Sequence, residues 1–257
     1  MANASSLFLP GSNLTNLLVL AEERVPGGVY AGRILPAAAA AAGVTAIGLL
    51  VTYRRRISRS RPARGEPRRA PRRPGLLGLV AAGVAATLTV VLPSPALPVL
   101  AVGVVAATIH MRAGRLRVRG LRDALSLRVT AGLFTLSVAL GTLARMWSGP
   151  SDLIDSAGRW GTAGIGALGA VTLNNLPASV LLSADGVPHP RALLIGLNVG
   201  PNMAVTGSLS AFLWFQAARQ VGASPSARTF SAVGVPLALL AMGASVLALG
   251  VVLPHRL

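Results

Sequence analysis

One stretch, Leu193 to Phe215 (LLIGLNVGPNMAVTGSLSAFLWF), limits what this chain can fold into more than any other. It is apolar and long enough to cross a bilayer, which takes about 20 residues. Yet its middle, Asn198 to Ser208, holds Asn198, Gly200, Pro201, Asn202, Thr206, Gly207 and Ser208. An ordinary spanning helix satisfies its backbone internally and has little use for that cluster. Pro201 has no N–H, and the glycines relax the backbone. The pattern predicts two half-helices meeting at an unwound polar break near mid-membrane. Such breaks are tolerated where they face protein or a water-filled cavity, and in transporters they form substrate and ion sites.

A second stretch, Ala2 to Leu20 (ANASSLFLPGSNLTNLLVL), has the same grammar at the other end of the chain. Asn3, Ser5 and Ser6 lead to Pro10-Gly11, then Ser12, Asn13, Thr15 and Asn16, then apolar residues again. Aligning Gly11 on Gly207 brings Ser12 onto Ser208. Two interrupted segments in corresponding places of two halves are the best sequence pointer to a transporter site.

Composition agrees with a membrane protein: 53% of residues are hydrophobic and the mean hydropathy is +0.64. No cleavable signal peptide is read, because the N-terminus lacks a basic region and its apolar stretch is broken by Pro10-Gly11-Ser12-Asn13. Cysteine is absent, which excludes disulfides and thiolate metal sites. The net charge of +17 comes entirely from arginine, and ten of the 24 arginines lie between Arg54 and Arg73. That run is Pro-rich and without apolar periodicity. It reads as a disordered cytoplasmic loop obeying the positive-inside rule, with attraction to anionic lipid a modest addition. Nucleic-acid recognition would need aromatics or a folded frame there, and the run has neither.

In order, the chain reads as a remnant of a first repeat over residues 1–53, an Arg/Pro-rich cytoplasmic loop over 54–74, and a second repeat over 75–257. The remnant is the first broken helix plus a span from Tyr30 to Tyr53. The second repeat opens with spans at Leu76–Leu92, Leu97–Ile109 and Leu125–Met146. Gly158 to Leu173 is glycine-rich and apolar, meets Asn174-Asn175-Leu176-Pro177, and runs apolar again through Ala184. Neither arm alone reaches across about 30 Å of hydrocarbon. Two readings fit: a re-entrant hairpin over 159–185 with Asn174, Asn175 and Pro177 at its tip, or one Pro-kinked helix whose Asn pair glues neighbouring helices. The adjacent broken helix, 191–217, favours the hairpin. A final span covers 230–253. With the loop at 54–74 inside, the arginine-rich turn Arg112–Arg122 and Arg219 and Arg228 also fall inside, and Glu22-Glu23 outside. Trp147, Trp160, Trp214, Tyr30 and Tyr53 sit near span ends and read as interfacial anchors, and Ser5 and Ser6 as packing residues.

NNLPASVLL followed by GLNVGPNMAVTGSLSAFLW resembles the second-half signature of the arsenical pump membrane protein (arsenite permease) family, within the ion transporter superfamily that also holds citrate, dicarboxylate and sodium/proton carriers. ANASSLFLPGSNLTNLLVL resembles the broken helix of that family's first half. The resemblance implies an all-α polytopic membrane protein of the bacterial plasma (inner) membrane, an inverted-repeat fold with a re-entrant hairpin and two broken helices. Family members carry three spans and a hairpin before the first broken helix, so the first repeat here reads as incomplete. The implied function is export of a small oxyanion or metalloid such as arsenite or antimonite. Ser12, Asn13, Thr15, Asn16, Asn174, Asn175, Asn198, Asn202, Thr206, Gly207 and Ser208 would bind it. The half-helix N-termini at Ser12-Asn13 and Gly207-Ser208 would aim N–H groups at it. No cofactor and no metal are expected. The implied partners are membrane lipid, a coupling proton or cation, a separate ATPase subunit and a second copy in a homodimer.

Two other readings stand beside this one. An inactive or partial permease fragment accounts for the short first repeat, and other superfamily members carry other anions or exchange sodium for protons. An enzyme is not expected. His110, His189 and His255 lie at span ends far apart in sequence, and no phosphate-cradling loop appears.

Overall fold

The computed structural model describes residues 2–21, 23, 26–59, 75–92, 95–114, 127–220 and 222–252. Most of these residues are helical, with no strand among them. The first interrupted segment consists of α1 (Ala2–Ser5), a 3-10 turn at Pro10–Ser12 and α2 (Leu14–Val19). Then come α3 (Gly27–Arg59), α4 (Leu76–Val91), α5 (Ala96–Arg112), α6 (Leu127–Met146) and the short α7 (Gly149–Asp155). The second half continues with α8 (Arg159–Leu173), α9 (Asn175–Leu182) and α10 (Pro190–Val199). After 3-10 turns at Gly200–Met203 and Val205–Gly207, the chain ends in α11 (Leu209–Gln220) and α12 (Ala227–Val252).

Two helices, α3 and α12, are long and apolar enough to cross a membrane. They run antiparallel against one another. Gly48 lies under Leu237, and the Ser245 hydroxyl donates to the Ala37 carbonyl at 2.8 Å. α3 continues through Arg59, so the first six residues of the expected loop, 54–59, are helical; residues 60–74 lie outside the described set. Nothing in the sequence pattern flags α7, whose seven residues are too short for a periodic signal.

Asn174 resolves the choice between hairpin and kinked helix. It takes φ +79°, the one left-handed non-glycine residue among those described. The chain then folds back, and a Cβ on Gly169 would meet Ala178 Cβ at 3.3 Å and Leu182 Cδ1 at 3.2 Å. A kinked but continuous helix would hold residues 169 and 182 about 20 Å apart, at 1.5 Å per residue. The Asn174 side chain caps α9 by accepting from the Leu176 N–H.

α8 and α10 run parallel and touch through small residues. A Cβ on Gly200 would lie 2.6 Å from Ala167 Cα, and one on Gly196 would collide with the Ala163 carbonyl oxygen. Ala163 and Ala167, and Gly196 and Gly200, are each four apart, the small-xxx-small spacing that lets helix backbones approach. Every residue of α10 from Ala192 to Val199 is buried. Hydroxyls of Thr45, Thr52, Thr87, Thr89, Thr108, Thr142 and Thr172 bond to the carbonyl four residues back, so they cost nothing in an apolar setting.

Candidate functional site

The two interrupted segments cross at their breaks. Pro201 forces α10 to stop, since a proline there cannot donate into the helix ladder. The chain passes through two short 3-10 turns before α11 restarts. Gly207 lets this bend close on itself, 2.6 Å from Pro201 Cα for an added Cβ, and Gly234 of α12 admits the Asn202 carbonyl where a Cβ would collide.

Asn198 is the knot of the crossing. It is fully buried. Its amide nitrogen donates to Asn16 Oδ1 at 2.8 Å and to the Leu194 carbonyl at 2.9 Å. Its oxygen accepts from Ser6 Oγ at 2.5 Å and Asn13 Nδ2 at 3.0 Å. Asn16 in turn donates to the Ser6 carbonyl at 2.7 Å and the Leu9 carbonyl at 3.1 Å. Burying these amides would be costly without partners. Here the freed carbonyls of one break are satisfied by its own side chains, and the other break is tied to it across more than 180 residues of chain.

Beside the knot lies a cavity of about 590 Å³. Its polar lining is Asn3, Ser6, Ser12, Asn13, Ser137, Asn174, Asn175, Ser208 and Ser210, but most of its wall is apolar, from residues such as Leu14, Leu18, Phe134, Val180 and Leu209. None of these side chains is ionisable. A second cavity, about 520 Å³, is lined by α3, α11 and α12, with Tyr53, Trp214 and Phe230 around a mostly apolar interior and Asn3, Asn202 and Ser210 at its polar end. Asn3 and Ser210 line both. The Asn3 amide donates to Ser208 Oγ at 2.9 Å and Asn202 Oδ1 at 3.2 Å, and its oxygen accepts from Ser210 Oγ. Asn3 and Ser210, bonded to one another, stand between the two spaces.

The eleven sequence-predicted residues fall into distinct places. Ser12, Asn13, Asn174, Asn175 and Ser208 line the central cavity, and Asn202 lines the second. Asn16 and Asn198 are buried in the knot, and Thr15 is buried with no partner for its hydroxyl. Thr206 and Gly207 belong to the seam between break and hairpin. The Thr206 hydroxyl donates to the Val171 carbonyl at 3.1 Å, and the Thr206 carbonyl accepts from Asn174 Nδ2 at 3.0 Å.

Several expectations need correction. The half-helix starts do not leave their cap N–H groups free: Thr15 N–H goes to Asn13 Oδ1, and Ala211 N–H goes to Ser208 Oγ. Ser6 is no packing residue, since its hydroxyl joins the knot. Tyr30 is no interfacial anchor either. It is fully buried and donates its hydroxyl to the Leu7 carbonyl at 3.0 Å, bracing α1 against α3. Trp147, Trp160 and Trp214 are each 57% exposed. Asn3, Ser137 and Ser210 join the cavity without having been singled out. Ser137 gave no signal, being one serine in an apolar helix. Its buried hydroxyl has no partner.

The fold and site define a class: a protein whose described residues are helical without strands, with two helices able to cross a membrane and two broken helices crossed beside a mostly apolar cavity that carries uncharged amide and hydroxyl groups. Comparison with known protein families, curated proteins and solved structures finds no match.

Proposed function

We propose that this chain is a secondary transporter of a small, hydroxyl-rich solute, arsenite or antimonite in their neutral hydroxide form. It would sit as a multi-pass protein in a bacterial plasma membrane with the loop after α3 in the cytoplasm. The observation that carries the reading is the crossed pair of helix breaks beside a cavity lined by amides and hydroxyls. Irregular backbone at membrane depth is otherwise costly, and its usual service is to hold a solute. The motif resemblance to arsenite permeases points the same way.

The lining narrows the substrate class. Among the described residues the cavity offers donors and acceptors but no cation. A citrate or dicarboxylate ion there would have its charge buried without a partner, a cost of several kcal/mol. An uncharged trihydroxide needs only hydrogen bonds, and Asn175, with the second N–H and lone pair left on Asn13 and Asn174, can exchange them in both directions. Asn3, between the two cavities, would separate the site from the cytoplasmic end marked by Tyr53.

Everted vesicles containing the protein test this by uptake of radiolabelled or mass-detected arsenite against citrate. The expected result is arsenite uptake, reduced at least about tenfold by Asn175→Ala with Ser12→Ala, two residues of the central cavity, the loss of two or more substrate hydrogen bonds. Unchanged transport by that double variant refutes the site, and citrate transport at equal rate refutes the substrate class.

A further inference from the structure

A third cavity, about 280 Å³, lies away from the central one and is lined by Arg33, Arg159, Pro188, His189, Arg191 and Leu249 among others. Three guanidinium groups from three different helices converge on it: Arg33 from α3, Arg159 from the start of α8 and Arg191 from the start of α10. One carboxylate offsets them, Glu23, paired with Arg191 at 3.1 Å. Arg33 and Arg159 pair with no described carboxylate. The Arg191 Nε is buried and has no hydrogen-bond partner. Arg159 is held against α12, where a Cβ on Gly250 would sit 3.7 Å from its Nη1. The first turns of α8 and α10, helices of 15 and 10 residues, add their positive ends to the same space.

The position is as telling as the charge. Arg33 and Arg54 lie on one helix, 21 residues apart, which is about 32 Å at 1.5 Å per residue. That is one hydrocarbon thickness. If the loop after α3 is cytoplasmic, this cavity lies at the opposite headgroup layer, where the charge rule disfavours arginine. Three arginines brought together on that side, two of them without a carboxylate partner among the described residues, call for an anion.

We infer that this cavity binds a phosphate-type oxyanion, through the guanidinium forks of Arg33 and Arg159, with Arg191 adding its charge to the same space. Planar guanidinium groups match such oxygens bidentately. The oxyanion is a lipid headgroup phosphate or free inorganic phosphate; the chemistry is shared and the experiment separates the sources. The inference does not depend on what the central cavity carries.

The test uses the purified protein in a neutral detergent at fixed ionic strength. It compares wild type, Arg33→Gln with Arg159→Gln, and a control with equal charge loss at the other end of the molecule, Arg219→Gln with Arg228→Gln. Thermal unfolding is titrated with sodium phosphate, and native mass spectrometry scores retained phosphatidylglycerol against phosphatidylcholine. A phosphate-dependent rise in Tm in wild type and control, with the apparent affinity about tenfold or more weaker in the cavity variant, assigns free phosphate. Selective retention of phosphatidylglycerol, lost only in the cavity variant, assigns a headgroup. Binding of neither, or equal loss in both double variants, overturns the proposal. Arg33→Gln alone, at an exposed position, provides the same readout should the double variant fail to fold.

Discussion

The α8–α10 pair and the α4–α5 pair are built from much the same residues and end up in opposite surroundings. Both are rich in Gly, Ala, Val and Leu. α10 is buried along its whole length after Arg191, whereas α5 buries no residue and α4 only Thr89. The difference lies in how small residues are spaced. Gly196 and Gly200 face Ala163 and Ala167 and let two backbones meet, while Gly78, Gly83 and Gly103 have nothing within 4 Å of where a Cβ would stand. Apolarity alone does not choose a helix's neighbours in a membrane, because lipid tails are as apolar as Leu. Close approach and polar cross-links choose them.

That contrast can be broken at its strongest point first. Gly196→Leu drives a side chain into the Ala163 carbonyl, which cannot rotate away, and is expected to cost about 3 kcal/mol or more, seen as loss of monodisperse protein. Asn198→Leu keeps the volume but strands Ser6, Asn13 and Asn16, and is expected to cost about 1–3 kcal/mol in chemical denaturation. Ser245→Ala removes one interhelical bond to Ala37 and is expected to cost about 0.6 kcal/mol. Gly83→Leu on α4 is expected to stay within about 0.5 kcal/mol of wild type. A large effect at Gly83 would mean that α4 has a tight neighbour, and the contrast would fail.

Much of the frame was legible because it is local. Pro201 with its flanking glycines marks an interruption wherever it occurs, and Asn174-Asn175-Leu176-Pro177 marks a tip. The span ends shifted by a few residues, since α3 and α12 run past their apolar cores into arginine-bearing turns. What stayed hidden is what depends on crossing. Asn3, Ser6 and Ser210 look like ordinary polar residues until α1 is laid against α11. Arg33, Arg159 and Arg191 are each unremarked in sequence, and only the packing of α3, α8 and α10 brings them to one cavity. Tyr30 was misread because a tyrosine near a span end has the same signature whether its ring meets headgroups or the underside of α1.

Asn3 and Ser210 line both of the larger cavities, and the bonds that hold Asn3 set an energetic scale. Asn3 is held by three hydrogen bonds, to Asn202, Ser208 and Ser210. At a net 0.5–1.5 kcal/mol each, releasing them costs about 3 kcal/mol. By that scale, an Asn3 side chain released from all three bonds is populated roughly one per cent of the time or less. A solute that offers Asn202 and Ser208 substitute bonds would lower that threshold for itself, so the release would discriminate by chemistry as well as by size.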